Sequence, residues 1–139
     1  GNLQVKLTVT VLPVAFLRGA FVYVEQPCSS LMSLYEPMKS FIELIGKQRC
    51  RVALGAYGAD SAKPIYIYTN DPNIERFQKR IPGGTEFKQL CCKGPGGAVT
   101  GLKTVLKASQ AYPEDFGRVV AEATASNLLS SYGLDDFAK

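Results

Sequence analysis

The 139-residue chain contains no histidine, and that absence removes a block of chemistry. Neither a Ser-His-Asp relay nor a Cys-His nucleophile pair can be assembled. Cysteine is scarce too: Cys28, Cys50 and the vicinal Cys91-Cys92 contain no C-x-x-C spacing. That pattern is neither a zinc site nor a disulfide framework, and it suits free thiols in a reducing intracellular compartment or organelle. Long apolar runs are missing as well. Leu7 to Phe16 is interrupted by Thr8, Thr10 and Pro13, far short of the roughly 20 residues of a membrane span. No internal repeat or low-complexity segment occurs. The chain opens at Gly1 instead of Met, as expected of a processed product, a tagged product or a fragment.

What remains is an ordinary soluble composition, 46% hydrophobic and 20% charged. A single domain of this size buries about two-thirds of its unfolded surface. We expect one domain over 1–133 and a tail over 134–139. The formal charge of +4 is unevenly placed. Residues 1–107 hold 14 Lys/Arg against 7 Asp/Glu, and residues 108–139 hold 2 against 5. A basic body with an acidic end is compatible with nucleic acid or another acidic partner, and equally with a solvated surface.

Along the chain, Val5 to Val11 alternates like a strand, yet the segment to Leu17 also suits a helix if other chain packs on it. Both readings stay open. Ala20 to Val24 reads as a buried strand ended by Pro27. Glu36-Pro37 opens a helix whose apolar face is Met38, Phe41, Ile42 and Ile45, stopped by Gly46. Strands follow at Cys50 to Leu54 and Ile65 to Thr69, joined by a flexible loop and closed by Asn70-Asp71-Pro72. A short helix is expected over Asn73 to Lys79, a weak strand over Glu86 to Leu90, and a helix from Val99 to about Ser109. Pro113, Glu114 and Asp115 start the last helix, with acids where the dipole favours them. Its inner face is Phe116, Val119, Val120, Ala123 and Asn127, and Gly133 ends it.

Three stretches could carry chemistry. Phe21 to Ser30, FVYVEQPCSS, ends an apolar run in Glu25, Gln26, Pro27, Cys28 and two serines. A strand that delivers a carboxylate and an amide at its carboxyl end is one way a site is built. A capped strand end satisfying its own backbone is the plainer reading. Tyr57-Gly58, Lys63-Pro64 and Tyr68-Thr69-Asn70 place a lysine in a loop between two strands, able to meet a phosphate or simply solvated. Gly94-Pro95-Gly96-Gly97 lacks a P-loop pattern and reads as a plain turn.

The order of these motifs is more specific than any one of them. A strand ending Glu25-Gln26-Pro27, then Tyr57-Gly58, Lys63-Pro64, Thr69-Asn70 and a late Tyr112-Pro113 resembles the C-terminal half of phage-type and algal cytosine-5 DNA methyltransferase-like proteins. The resemblance spans roughly Phe16 to Ala125. It implies that Glu25 holds a flipped base by its Watson–Crick edge, with Gln26 in place of the usual asparagine and Pro27 beside it. It also implies that Tyr57, Lys63 and Asn70 lie near the substrate or its backbone. Ile65 stands where such proteins carry threonine. The family's cofactor loop and nucleophile motif, which precede the Glu-Asn-Pro strand, have no counterpart here, and Cys28 is assigned no catalysis.

The resemblance and the alternation of strands with helices together imply an α/β fold. We expect a partial Rossmann-like methyltransferase sheet of three to five strands, mostly parallel with one antiparallel strand, flanked by three or four helices. The implied function is a non-catalytic half-domain packed as a structural or accessory subunit in a larger assembly. The alternative is a fragment of a DNA cytosine methyltransferase-like enzyme that supplies target-base and backbone contacts. It would be inactive alone, binding no cofactor by itself and S-adenosylmethionine only with the missing half supplied. Another protein chain is expected over the exposed sheet edge or face, with nucleic acid as a further partner.

Overall fold

The computed structural model describes residues 2–88, 91–97, 99–101 and 111–133. Three strands form the central sheet: β1 (Tyr23–Pro27), β2 (Arg49–Ala53) and β3 (Pro64–Thr69), in the order β1-β3-β2. Both pairings are antiparallel, with Tyr23 opposite Thr69 and Arg49 opposite Tyr68. This corrects the expected mostly parallel, Rossmann-like sheet. The chain does run strand, helix, strand from β1 to β2, and these two strands point the same way. However, β3 lies between them and opposes both, so among the described residues no hydrogen-bonded pair is parallel. A second, two-stranded sheet pairs β4 (Cys91–Lys93) with β5 (Val99–Gly101), also antiparallel.

Three helices are present among the described residues: α1 (Asn2–Leu17), α2 (Glu36–Leu44) and α3 (Glu114–Ser131). In α1 the helical reading prevails over the strand reading. The segment carries both periodicities, and burial decides between them: Val9, Leu12, Ala15 and Phe16 close over Val22, Val24, Met38, Phe41 and Tyr68. Thr8 and Thr10 donate their hydroxyls to the carbonyls of Gln4 and Lys6, both at 2.9 Å, which accommodates two β-branched residues inside a helix. Pro13 sits within it. Asn73 to Lys79 contributes a 3-10 turn, Ile74–Phe77, and 86–88 are irregular. Val99–Gly101 is a strand where a helix was expected, because the glycine-rich turn at 94–97 brings it back against β4. Residues 89–90, 102–110 and the 134–139 tail lie outside the described residues.

The sheet has a cluster on each face. On one face Cys50, Val52, Ile65 and Ile67 pack with Leu54, Tyr57, Phe77, Phe116 and Ala123. On the other Val22, Val24 and Tyr68 pack under α1 and α2. Rings meet edge to face, Tyr57 with Phe116 at 5.4 Å and Tyr23 with Phe77 at 5.7 Å, geometry that adds to area burial.

A buried polar network ties α3 to β1 and to the end of β3. Asn127 Nδ2 donates to the Tyr23 hydroxyl at 2.8 Å, which donates to Asp71 Oδ2 at 2.9 Å. Asp71 Oδ1 accepts the Asn73 amide at 2.8 Å, and Arg76 stands 3.9 Å away. Asp71 is fully buried. Burial alone would raise its pKa, but hydrogen bonds from Asn127, the Asn73 amide and Tyr23, with the Arg76 charge, hold it below the ordinary carboxylate value. Tyr23 is pushed up to about 12, by burial first and then by Asp71.

These shifts set opposite pH limbs. Asp71 contributes stability that is fully present above its unfolded value, about pH 4, and is lost as pH falls through the lower folded value. Tyr23 contributes stability that is fully present below its unfolded value, about pH 10. That contribution is lost as pH rises to about 12. Urea unfolding across the pH range should therefore give a flattened acid limb in Asp71→Asn and a flattened alkaline limb in Tyr23→Phe. Tyr23→Phe should also cost about 1–3 kcal/mol at neutral pH, since Asp71 loses a buried donor. Unchanged limbs in both variants would overturn the network.

Candidate functional site

Residues 21–28 bring a carboxylate to the middle of an edge strand. The backbone phase follows from two bonds: Cys28 N–H donates to Pro64 C=O at 3.2 Å, and Val22 N–H donates to Asn70 Oδ1 at 2.8 Å. Even-numbered residues of β1 therefore turn their backbone groups toward β3, and Tyr23, Glu25 and Pro27 turn theirs to the open edge. Proline fits at that edge because no ladder donor is lost there. Gln26 Nε2 donates to Glu25 C=O at 2.6 Å, and Ser30 N–H donates to Pro27 C=O at 2.9 Å. Local groups thus occupy the carboxyl-terminal half of the edge.

The side chain of Glu25 lies on the α3 face. Its Oε2 accepts the Tyr112 hydroxyl at 2.5 Å, the short separation of a charge-assisted bond. Its Oε1 is buried and has no hydrogen-bond partner among the described residues. Tyr112 in turn stacks on Phe116, 5.8 Å between centroids and 24° between planes, and the Lys63 ammonium lies 5.1 Å from its ring centroid. Burial, then the hydrogen bond and charge of Glu25, push the Tyr112 pKa well above the ordinary phenol value.

The loop from 54 to 63 is held against this corner. Gly55 has no room for a side chain: a Cβ would meet the Phe87 ring at 2.6 Å and the Ser61 carbonyl at 3.0 Å. Lys88 reinforces the closure through its amide to Asp60 C=O at 2.8 Å and its ammonium to Asp60 Oδ2 at 3.0 Å. Lys63 adopts φ +33° immediately before Pro64, a conformation that costs a non-glycine residue about 1–2 kcal/mol. A basin of about 210 Å³ is walled by Gly58, Asp60, Ser61, Lys63 and Tyr112.

The structure thus brings Glu25 and Lys63 together through one ring, that of Tyr112. It separates the other candidates. Gln26 holds backbone and accepts the Ser30 hydroxyl at 2.8 Å, and does not touch the Glu25 carboxylate. Pro27 is an exposed strand end. Tyr57 is core: its hydroxyl donates to Phe77 C=O at 2.9 Å. Asn70 clamps the start of β1 through Val22 N–H and Ala20 C=O. Tyr112 is the member that sequence reading gave no role, and its position before Pro113 and the last helix was the available signal.

On the other side of β1, Glu25 also borders a groove of about 400 Å³ that runs between the strand and Leu7, Val11 and Leu12 of α1. The site is a hydrogen-bond acceptor beside a cation and an aromatic ring. It holds no nucleophile–base pair among the described residues, and no group of three His, Cys, Asp or Glu there could hold a metal ion. Cys28 and Cys50 are free thiols, and burial pushes the Cys50 thiol up. The side chains of Cys91 and Cys92 lie outside the described residues.

In Glu25→Gln the Tyr112 phenol should ionise at a lower pH, because its carboxylate acceptor is gone. Titration of ring-labelled tyrosine by NMR would report it, with Tyr112→Phe assigning the resonance. An unmoved Tyr112 would remove the hydrogen bond from the site.

No family model, no curated protein and no solved structure matches this chain.

Proposed function

We propose that this chain is a non-catalytic accessory subunit that packs against another protein chain within a larger assembly. The observation that carries this is the outer stripe of α1. Leu3, Leu7, Val11, Val14 and Leu17 recur at helical spacing and stand 51–80% exposed, while the opposite side of the helix packs on the sheet. A helix apolar on both sides is normally covered on both. Removing such exposed aliphatic surface from water is a main driving force of association. The groove beside β1 continues the stripe toward the open strand edge. Among the described residues no helix is long and apolar enough to cross a membrane.

A second reading is favoured by Glu25 alone. Its Oε1 has no hydrogen-bond partner among the described residues, and once the Tyr112 contact opened it would offer an acceptor to the amino group of an extruded base, as in a fragment of a cytosine methyltransferase-like enzyme that contributes base and backbone contacts. S-adenosylmethionine would then be held by other chain. The all-antiparallel sheet weighs against this reading.

Analytical ultracentrifugation separates the two. The isolated chain should associate as its concentration rises, and Leu7→Asp/Val14→Asp should abolish association while shifting Tm by less than about 3 °C. A wild-type chain that remains monomeric throughout would count decisively against the accessory reading. For the second reading, Glu25→Ala should erase any preference of bound single-stranded DNA for cytosine while total affinity falls less. Equal affinity for cytosine and thymine in the wild type would end it.

A further inference from the structure

The sheet face that carries α1 and α2 is not covered to its β2 edge. There Arg49 and Arg51 stand on the same face by strand alternation, opposite Tyr68 and Tyr66 in register. Both arginines are exposed, and neither is ion-paired among the described residues. The Arg49 guanidinium lies 4.4 Å from the Tyr66 ring centroid, and the Tyr66 and Tyr68 rings are 6.3 Å apart. A planar, exposed cation thus covers the half-buried Tyr66 ring beside the buried Tyr68.

The neighbouring hollow has the same sign. About 310 Å³ in volume, it is lined by Lys39, Lys47, Arg49, Tyr68, Ser33 and Glu43. The acids of this face, Glu36 and Glu43, are engaged by Lys39 at 3.4 Å and Lys47 at 3.2 Å. α1 adds Lys6 and no acid. Four cations of α2, β2 and their connection therefore face two acids already paired, leaving a surplus carried by the arginines.

We infer that this face binds single-stranded nucleic acid, with phosphates on Arg49, Arg51 and the lysines, and a base stacked on the Arg49–Tyr66 pair. Bases stack on aromatic rings and on guanidinium planes when they are unpaired, and a basic groove beside such a platform tracks the backbone. A duplex hides its base faces and offers only the electrostatic part of this match. An acidic peptide has charge but nothing to stack. The inference goes beyond the accessory-subunit reading and does not involve Glu25, whose side chain is on the other face of the sheet.

Fluorescence anisotropy with labelled oligo-dT and oligo-U, about 20 nucleotides long, tests it against a duplex of equal length and polyglutamate. Both single strands should bind, with log K falling against log salt at a slope of about −2, as for roughly three phosphates. Arg49→Glu/Arg51→Glu should weaken binding at least about tenfold. Arg49→Lys, which keeps charge but not the stacking plane, should weaken it by a smaller factor and flatten the preference over duplex. Circular dichroism confirms that each variant folds. No binding at low salt, equal binding of polyglutamate or duplex, or indifference to the double arginine variant would each overturn the inference.

Discussion

The position of β3 between β1 and β2 is the constraint on which the rest of the molecule depends. Among the described strands it alone hydrogen-bonds to two neighbours, turning alternate residues to each. Because it is central, its buried side chains are divided between two cores, Ile65 and Ile67 in one and Tyr68 in the other. Because it ends at Thr69, Asn70 and Asp71 fall where one can clamp the start of β1 and the other can anchor Tyr23 and, through it, α3. Because it begins at Pro64, the strained Lys63 is aimed at the Tyr112 ring. One placement thus sets the helix contacts, the loop and the corner around Glu25.

The two sides of this sheet have acquired different chemistries. On the α3 side, burial and stacking surround a single carboxylate, and the polar groups nearby are spent on one another: Tyr112 on Glu25, Tyr23 on Asp71, Tyr57 on Phe77. On the α1 and α2 side, apolar cover reaches only part of the way, and the uncovered margin is cationic and aromatic. The apolar stripe of α1 forms a third surface pointing away from both.

Local chemistry made much of the secondary structure readable. Pro37 and Gly46 bracket α2, Pro113 and Gly133 bracket α3, and the apolar spacing of each names its inner face. Pairing was not readable, since strand–helix–strand alternation suggests a parallel sheet and nothing local reveals that a later strand will intervene. Val5 to Val11 could not be decided locally either, because it satisfies both periods and only the sheet beneath it selects one. The site suffered from the same limit. Glu25 stood out as a polar residue ending an apolar run, but its partner Tyr112 lies 87 residues away. Tyr57 and Asn70 looked like site residues by motif order, whereas their hydrogen bonds commit them to the core and to the start of β1.

Arg49 and Arg51 also bear on how copies of this molecule avoid one another. Among the described residues no strand pairs with the outer edge of β1 or of β2, and the β1 edge is half occupied by the Gln26 amide and Pro27. If the β2 edges of two copies met, four arginines would be brought onto adjoining strands, where like charges repel. A polyanion laid across that margin would neutralise the repulsion and expose the edge to pairing.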